Sequence, residues 1–515
     1  MYKLFSITYY RSNKNMQTNA TKKMGLFSAV LIGVTSMVGS GWLFSAQLTA
    51  KNAGNWAFLS WALAAILILM VAMCLAKVVS VYPVRGATTR SSALSHNSVF
   101  AMPFAFANWF GIVVMISTEA QATTQYLTGL ENFHWLMIDG AMSTYGIIFA
   151  LFILTIYLAI NFYGVKLLAN INNGITIFKM FVPALIVIIF IVYAFTHSAE
   201  HQSLLSADIP NNNFEISDAF TAIVAGGLIY TFNGFQIVVA YSSEIKNPSR
   251  NVPLAIIFSL LLVLVLYMGL QYAFMQAIPH DYLVAKGGWG GLDFDSPLLQ
   301  VAGLIGLGYI SFLLVIDSII SPSATGYSYL GASSRMLYAM SAEGQMPRYF
   351  AKINQKVNIS RRALLANFVI CAVFLVFSKN WAALMLIVTG FNIIGFMAAP
   401  ISMGAIAPKT RFFGMIVFVL LTMLLNSVEV ATNIHLSIIL VVLMAIFGAF
   451  EYRRVGFRTL MVLVLPFIIF VCIVSPIDHT YFEGLIGAIF YIIVTNKRYV
   501  AFCKKTANEQ NLLVD

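Results

Sequence analysis

The sequence predicts an all-α polytopic membrane protein. Of its 515 residues, 60% are hydrophobic and only 10% are charged, and the mean hydropathy is +0.85. A soluble core cannot hold so many apolar side chains and still leave a polar surface toward water. Apolar runs of about 20 residues, the length at which a helix crosses the hydrocarbon core, recur along the chain. They lack the alternation of β-barrel strands, which excludes a barrel.

Fourteen apolar runs stand between polar breaks and are predicted to be membrane spans. The last two are short, and short runs are also typical of interfacial helices. The predicted spans cover residues 25–50, 57–82, 99–127, 145–163, 171–196, 218–243, 252–278, 298–330, 363–378, 381–406, 412–427, 432–450, 458–475 and 481–496.

Positive charge alternates between successive connections, which tests the number of spans. Cytoplasmic loops of membrane proteins keep an excess of Lys and Arg. With the N-terminus inside, the odd-numbered connections hold only Lys51, Lys286 and Lys379, whereas every even-numbered connection holds Lys or Arg. We therefore predict cytoplasmic tails at residues 1–24 and 497–515 of a multi-pass protein in the plasma membrane, which in bacteria is the inner membrane.

Several other classes of function are not indicated. The net charge of +11 does not predict nucleic-acid binding, because the Lys and Arg residues are spread over loops instead of one soluble face. His, Cys and acidic residues lack metal-ligand spacing, and there is no phosphate-binding G-x-x-x-x-G-K-[ST] motif. We therefore expect no metal and no cofactor.

Two predicted spans are interrupted by small residues. The first reads GVTSMVGSG over residues 33–41 and the sixth reads GGLIYTFNG over residues 226–234; each is the first span of a set of five. Glycine weakens a helix by about 1 kcal/mol relative to alanine, and freed backbone at membrane depth is tolerated only in a cavity or inside protein. Matched breaks indicate a midplane binding site; alternatively, the glycines only allow close helix packing.

Such a pair of breaks suits a zwitterion. The second half of the first span begins with the unpaired N–H groups of residues 39–41, at the positive end of a helix dipole, which favours a carboxylate. Released carbonyls near Met37, Tyr230 and Asn233 are available to accept from an ammonium. Together these groups describe a site for an α-amino acid.

Three segments resemble the amino acid-polyamine-organocation (APC) transporter superfamily. VTSMVGSGWLF, in the first span, is similar to its G-S-G segment. YTFNGFQIVVAYSSEIKNPSRNVPLAI, from the sixth span onward, is similar to its F-x-G-F-E segment and the loop after it. GASSRMLYAMSAEGQMPRYFAKIN resembles its S-R-x-L-Y-A-M-x-x-D-G-x-x-P loop after the eighth span. Within the superfamily, GSGWLF and IDSIISPSATG look most like the aspartate-proton symporter group.

The resemblance implies a LeuT-type 5+5 inverted-repeat bundle over residues 25–410 and about four additional transmembrane helices over residues 411–496. It also implies that the substrate carboxylate binds the first-span amides, that the amine binds carbonyls of both broken spans, and that Tyr230 closes over the substrate. Gln236 departs from the family, in which Glu is common, so no coupling role is carried over to it. The predicted substrate-binding residues are Met37, Gly39, Ser40, Gly41, Glu119, Tyr230, Thr231, Phe232, Asn233 and Gly234.

Three of the ionisable residues inside predicted spans are candidates for function, because an unpaired charge at membrane depth is costly; Lys77, near the inner end of the second span, is instead expected to snorkel. Lys179 matches a lysine that replaces a sodium ion in proton-coupled members and is expected to hold the first and eighth spans together; alternatively, it snorkels to the interface. Asp317 is expected to pair or share a proton with Lys179, or to make a structural hydrogen bond. We predict that both couple transport to protons. Glu119 is a candidate to bind a substrate amine, to carry a proton or to pair with another residue.

The resemblance implies secondary active transport of an amino acid by alternating access, as a proton symporter. An exchanger of the same fold is the alternative; a membrane enzyme, a channel or a sensor is a remote one. The symporter resemblance favours an acidic substrate, whereas the pocket offers no Arg and contains Glu119, which favours a neutral or cationic one. Protons and the lipid bilayer are the other expected partners, and the sequence makes no prediction of oligomeric state.

Overall fold

The computed structural model describes residues 24–82, 87–163, 166–197, 209–342, 344–354, 359–378, 380–428, 430–474 and 480–509, and most of these residues are helical. The predicted all-α polytopic class is confirmed. Outside the described residues lie 1–23 of the predicted N-terminal tail, 510–515 of the predicted C-terminal tail, and Lys379 of the charge pattern.

The first ten helices contain both predicted breaks. They are α1 (Leu26–Met37), α2 (Gly41–Ala53), α3 (Ala57–Val81), α4 (Ala87–Ser95), α5 (Ser98–Leu127), α6 (Thr144–Tyr163), α7 (Lys166–Thr196), α8 (Ile216–Ala225), α9 (Leu228–Thr231) and α10 (Phe235–Ala240). Between α5 and α6, strands β1 (Met137–Ile138) and β2 (Ala141–Met142) form an antiparallel hairpin.

The later helices are longer on average and include the C-terminal set. They are α11 (Pro248–Ala277), α12 (His280–Ala285), α13 (Pro297–Leu304), α14 (Ser311–Ala342), α15 (Arg361–Phe377), α16 (Trp381–Phe396), α17 (Ala398–Ile406), α18 (Arg411–Asn426), α19 (Val430–Val455), α20 (Phe457–Val474), α21 (Thr480–Val494) and α22 (Lys497–Glu509). Short 3₁₀ turns join several helices, at Gly54–Trp56, Glu131–Leu136, Ser242–Glu244, Trp289–Gly291, Gly308–Ile310, Arg348–Ala351 and Pro408–Thr410.

Eight described helices are long and apolar enough to cross a membrane, or up to ten if each bent pair counts as one span. Three shorter apolar helices, Leu26–Met37, Thr432–Ile446 and Leu463–Val474, lie within further predicted spans. One of the eight, Gly41–Val81, has 41 residues, about twice what one crossing needs, and Gly54 turns the chain inside it with φ of +50°. The number fourteen therefore stays a prediction.

The structure corrects the sequence analysis at two places around the eighth span. The predicted span 298–330 is two helices, because α13 ends at Leu304 and α14 begins at Ser311. The motif GASSRMLYAM, expected in a loop, is the last part of α14. Its Ser333, Leu337 and Met340 side chains are buried, so an apolar face continues the helix through the motif.

Helix α5 lies at the centre of the bundle and positions the site. Only Asn108 among its residues is not buried, and α14 and α16 pack along it. Outer helices instead expose large apolar side chains, such as Phe152 of α6, Val265 of α11 and Val369 of α15. Exposed apolar faces of this extent are typical of contact with lipid.

Candidate functional site

The first span breaks at the predicted place. Helix α1 ends at Met37, Val38 is extended, and α2 begins at Gly41. The last carbonyls of α1 lose their helical partners at this break, and side chains from three other helices take their place. The donors are Lys179 Nζ to Thr35 O (3.4 Å), Tyr329 hydroxyl to Ser36 O (3.2 Å) and Tyr267 hydroxyl to Met37 O (3.0 Å).

The sixth span also breaks, and it does so twice. Helix α8 ends before Gly226, and Gly227 takes φ of +73°. After the single turn of α9, Gly234 takes φ of +118° and α10 begins. The two halves of the span are bent by 52°. Both glycines adopt backbone conformations that residues with a Cβ rarely adopt, which explains why the break occurs at this motif.

The two breaks contact each other. A Cβ at Gly234 would lie 2.3 Å from Ser36 O, so only glycine permits this approach of the sixth span to the first. The Ser40 and Tyr230 hydroxyls are 2.9 Å apart. The structure therefore brings the two interrupted segments together, as the matched glycines predict.

Glu119 reaches the first break from α5. Its Oε2 accepts from the Ser40 backbone N–H at 3.0 Å, and its Oε1 accepts from the Tyr230 hydroxyl at 2.8 Å. Gly39 makes room for it, because a Cβ there would lie 2.8 Å from Oε1. A buried carboxylate thus lies at the positive end of helix α2, where the helix dipole stabilises a negative charge.

Aromatic side chains cover this point, and one of them was missed by the sequence analysis. The Trp381 indole N–H donates to Ser40 Oγ at 3.0 Å. Its ring stacks on Phe44, with centroids 4.6 Å apart, and contacts the edge of Tyr230 at 5.3 Å. The signal in the sequence is a tryptophan directly after Asn380, which caps α16, but nothing local tells which helix it faces.

Lys179 lies between α1 and α14, as the resemblance implies. Its ammonium donates to Thr325 Oγ1 at 2.9 Å as well as to Thr35 O. It is buried, so among the described contacts it does not reach an interface, and the snorkelling alternative is wrong. Its charge acts on both Glu119 and Asp317.

Asp317 makes no ion pair with Lys179 among the described residues, so the expected direct pair is wrong. One carboxylate oxygen accepts from Ser321 Oγ at 2.9 Å. The other is buried and faces the Trp42 indole N–H, although the two atoms do not meet in regular hydrogen-bond geometry. The helical spacing from Asp317 to Ser321 favours this local bond over a longer reach toward Lys179.

A proline in α14 ties this helix to α5. Pro322 has no N–H, so the carbonyl of Ser318, four residues earlier, loses its helical partner. The Thr123 hydroxyl of α5 donates to that carbonyl at 3.0 Å. The bond holds α14 at the height of Glu119, four residues before Thr123 on α5.

The remaining predicted residues surround the second break. Thr231 Oγ1 lies 2.8 Å from Ser45 Oγ and would be 2.7 Å from a Cβ at Gly41. Phe232 is buried. Asn233 donates to Met115 Sδ, and its oxygen accepts from Gln236 Nε2 and from the Gly234 N–H. Gln236 therefore orders the break as an amide, without a charge.

We expect Trp381→Phe to lower thermal stability slightly. The variant keeps the ring stack on Phe44 and loses one neutral hydrogen bond, worth about 0.5–1.5 kcal/mol. Thermal unfolding of the purified protein measures the effect. Trp135→Phe is the control, because that indole is half exposed and bonds only to a carbonyl of its own turn. Equal unfolding temperatures for both variants would show that the bond to Ser40 contributes nothing.

Comparison with known proteins identifies the family of the chain. The amino acid permease family model matches residues 24–494. The chain is 32% identical over 389 residues to a glutamate/serine transporter of Bacillus subtilis, covering 74% of this chain and 70% of the relative. It is 29% identical over 399 residues to an aspartate-proton symporter of the same organism, covering 77% and 75%.

A more distant relative is the human cationic amino acid transporter 4, which is 25% identical over 366 residues, 69% of this chain and 55% of the relative. The family and these relatives are transporters, which excludes the enzyme alternative. The match covers both breaks and most of the described helices. The chain is therefore a multi-pass membrane transporter that belongs to the amino acid permease family.

Proposed function

We propose that this protein carries an amino acid across the plasma membrane, the inner membrane in bacteria, by proton-coupled secondary active transport. The observation that carries the proposal is the Ser40 amide, which already holds a carboxylate oxygen at 3.0 Å at the contact of two broken spans. An amino acid carboxylate would bind the amides of Ser40 and Gly41. The Gly39 N–H, expected to be unpaired, donates to Met37 O at 3.1 Å in this structure and would have to leave that carbonyl to join them. Its amine would bind carbonyls at Met37, Tyr230 and Asn233.

Alternating access fits the way in which the breaks are held. The last three carbonyls of α1 accept hydrogen bonds from side chains of α7, α11 and α14. Each of these bonds can be replaced by a bond from a substrate or from another side chain. Tyr267, which donates to Met37 O, has to turn away for a substrate amine to use that carbonyl. We keep the 5+5 inverted repeat, the four additional helices and the cytoplasmic tails as parts of this proposal.

Lys179 is the proposed coupling residue, with Asp317 as its acidic neighbour. A charged ammonium bridges α1 and α14 through Thr35 and Thr325. A neutral amine would bind the Thr35 carbonyl oxygen and the Thr325 hydroxyl oxygen more weakly, because charge-assisted hydrogen bonds are about twice as strong as neutral ones. Loss of the Lys179 proton would therefore weaken the connection between α1 and α14.

The proposed substrates are serine and the acidic amino acids. Two relatives carry glutamate, serine or aspartate by their names. The single Lys179 ammonium faces Glu119 and Asp317, and Glu119 would repel a side-chain carboxylate unless it is protonated. Serine places no extra charge in this site, so we expect it to bind over the wider pH range.

Uptake into liposomes tests the transport function. We expect purified protein to accumulate radiolabelled L-serine, L-glutamate or L-aspartate in empty liposomes when the outside is made acidic, saturably and more than protein-free liposomes do. An exchanger instead releases preloaded label only when external amino acid is added. Absence of both activities for all twenty amino acids would contradict the proposal.

Thermal stability identifies the substrate independently of the driving force. A ligand that binds only the folded protein at about a hundred times its dissociation constant adds about 2.7 kcal/mol to the free energy of unfolding. We expect a rise in unfolding temperature with the transported amino acid and none with amines that lack a carboxylate. The twenty amino acids and common polyamines form the screen.

A further inference from the structure

Glu119 lies where the carboxylate of an amino acid would bind. Its two oxygens are held by the Ser40 N–H and the Tyr230 hydroxyl, at 3.0 and 2.8 Å. The Ser40 hydroxyl accepts from the Trp381 indole N–H and contacts the Tyr230 hydroxyl. Glu119, Tyr230 and Trp381 thus all hold Ser40 in place. A second carboxylate cannot use the Ser40 N–H while Glu119 occupies it.

The charges around Glu119 add to this competition. The positive charge that acts on it is Lys179 of α7, and Asp317 of α14 acts on the same ammonium. Four tyrosines from α6, α9, α11 and α14 complete the titratable groups that face it, namely Tyr157, Tyr230, Tyr267 and Tyr329. One ammonium already faces two carboxylates, and a bound amino acid brings a third.

Carboxylates that share one buried site do not all stay ionised, because like charges a few ångströms apart repel strongly in a medium of low polarity. Glu119 is the carboxylate that has to leave, because the entering one needs its donor. The described hydrogen bonds of the Glu119 carboxylate include only one helix N-terminus, that of α2. Protonation removes the repulsion and leaves Glu119 able to donate as well as accept.

We propose that Glu119 is an internal stand-in for the substrate carboxylate: an entering amino acid displaces it from the Ser40 amide, and Glu119 takes up one proton. The inference rests on the transport function proposed above and adds a second proton-binding group to it. The proton comes from the water on the side of entry and forms an O–H bond at Glu119. When substrate leaves on the other side, that bond breaks, the proton follows, and Glu119 returns to Ser40.

The sign of the pH dependence separates this role from amine binding. If Glu119 gains a proton as substrate binds, substrate affinity rises as pH falls, by up to about tenfold per pH unit for one proton. If Glu119 instead binds the substrate ammonium, it must be ionised, and affinity falls as pH falls. The two roles therefore predict opposite slopes in the same measurement.

The experiment measures substrate binding and proton uptake together on the purified full chain. Calorimetry gives the Kd for L-serine, L-glutamate and L-aspartate at several pH values, and an indicator dye in weak buffer counts protons taken up. The proteins are the wild type, Glu119→Gln, Glu119→Asp and the control Glu131→Gln. Glu131 is exposed in the 3₁₀ turn after α5, so its loss removes a carboxyl group without touching the site.

We expect the wild type, the Glu131→Gln control and Glu119→Asp to take up about one proton per bound amino acid. Glu119→Gln should take up about one proton fewer than the wild type, have a Kd that changes less with pH, and bind the amino acid more tightly than the wild type at high pH. Tighter binding at high pH is expected because the competing charge is absent. In Glu119→Asp, the shorter side chain should leave the Ser40 amide more easily. This variant should therefore also bind the amino acid more tightly than the wild type does.

Several results would overturn the proposal. Binding without proton uptake by the wild type does so, even if Glu119→Gln fails to fold. Undiminished proton uptake by Glu119→Gln would show that another group takes up the proton. Loss of amino acid binding by this variant at every pH would show that Glu119 binds the substrate amine. If no amino acid binds any of the proteins, the transport function fails as well, which distinguishes the two failures.

Discussion

Lys179→Met is expected to abolish amino acid uptake that is driven by a pH gradient. The side chain keeps its apolar length and loses the ammonium that bonds to Thr35 O and Thr325 Oγ1. A hydrogen bond from a charged donor contributes about 1.5–3 kcal/mol, so losing the shorter of the two shifts the balance between carrier states by roughly ten- to a hundredfold. Uptake into liposomes at an imposed pH gradient measures the loss.

Lys77→Met is the matched control for this prediction. Lys77 lies on α3, is exposed and takes no part in the site, so its replacement should leave uptake at the wild-type level. Lys179→Ala should behave as Lys179→Met does, although it also leaves a cavity that lowers stability. Full pH-dependent uptake by either variant at position 179 would remove this lysine from the coupling mechanism.

Gly234→Ala is expected to separate the two broken spans and to lower the stability of the protein. The new Cβ would lie 2.3 Å from Ser36 O, and the backbone at position 234 has φ of +118°. Backbone strain of this kind costs about 1–3 kcal/mol, and the overlap with a backbone carbonyl adds to it. We expect a lower unfolding temperature and loss of amino acid binding, measured on the same preparation.

Gly303→Ala provides the comparison. A Cβ at Gly303 meets nothing within 4 Å, and this exposed glycine lies inside α13. Alanine there should leave the unfolding temperature unchanged or raise it slightly, because it reduces the entropy of the unfolded chain. If Gly234→Ala unfolds at the temperature of Gly303→Ala, the contact between the breaks does not require glycine.

Local signals account for the parts that sequence analysis predicted correctly. The polytopic helical class follows from the apolar runs, since each run contains the information for its own span. The break at residues 226–234 follows from Gly227 and Gly234, whose left-handed backbone conformation favours glycine. At residues 38–40 the neighbouring glycines matter for space, because a Cβ at Gly39 would meet Glu119 and one at Gly41 would meet Thr231. The error at span 298–330 has the same origin: Gly303, Gly306 and Gly308 interrupt an apolar run that composition alone reads as continuous.

Contacts between distant parts of the chain could not be predicted in this way. Glu119 had three open roles because its partner Ser40 is 79 residues away, and Trp381 reaches the same residue across 341 positions. For Asp317, two roles were open: a pair or shared proton with Lys179, and a structural hydrogen bond. Its side chain bonds to Ser321, one helical turn away, because that partner is on the same face of α14.

Hydropathy, glycine positions and motifs are enough to predict a helical membrane protein with two interrupted spans and to assign it to its transporter family. The packing of separate helices is needed to show that Glu119 accepts from the Ser40 amide, that Lys179 bridges α1 to α14, and that Trp381 covers the site. The physical reason is that hydropathy and glycine conformation act within one segment, whereas the partner of a buried charge depends on how separate helices pack.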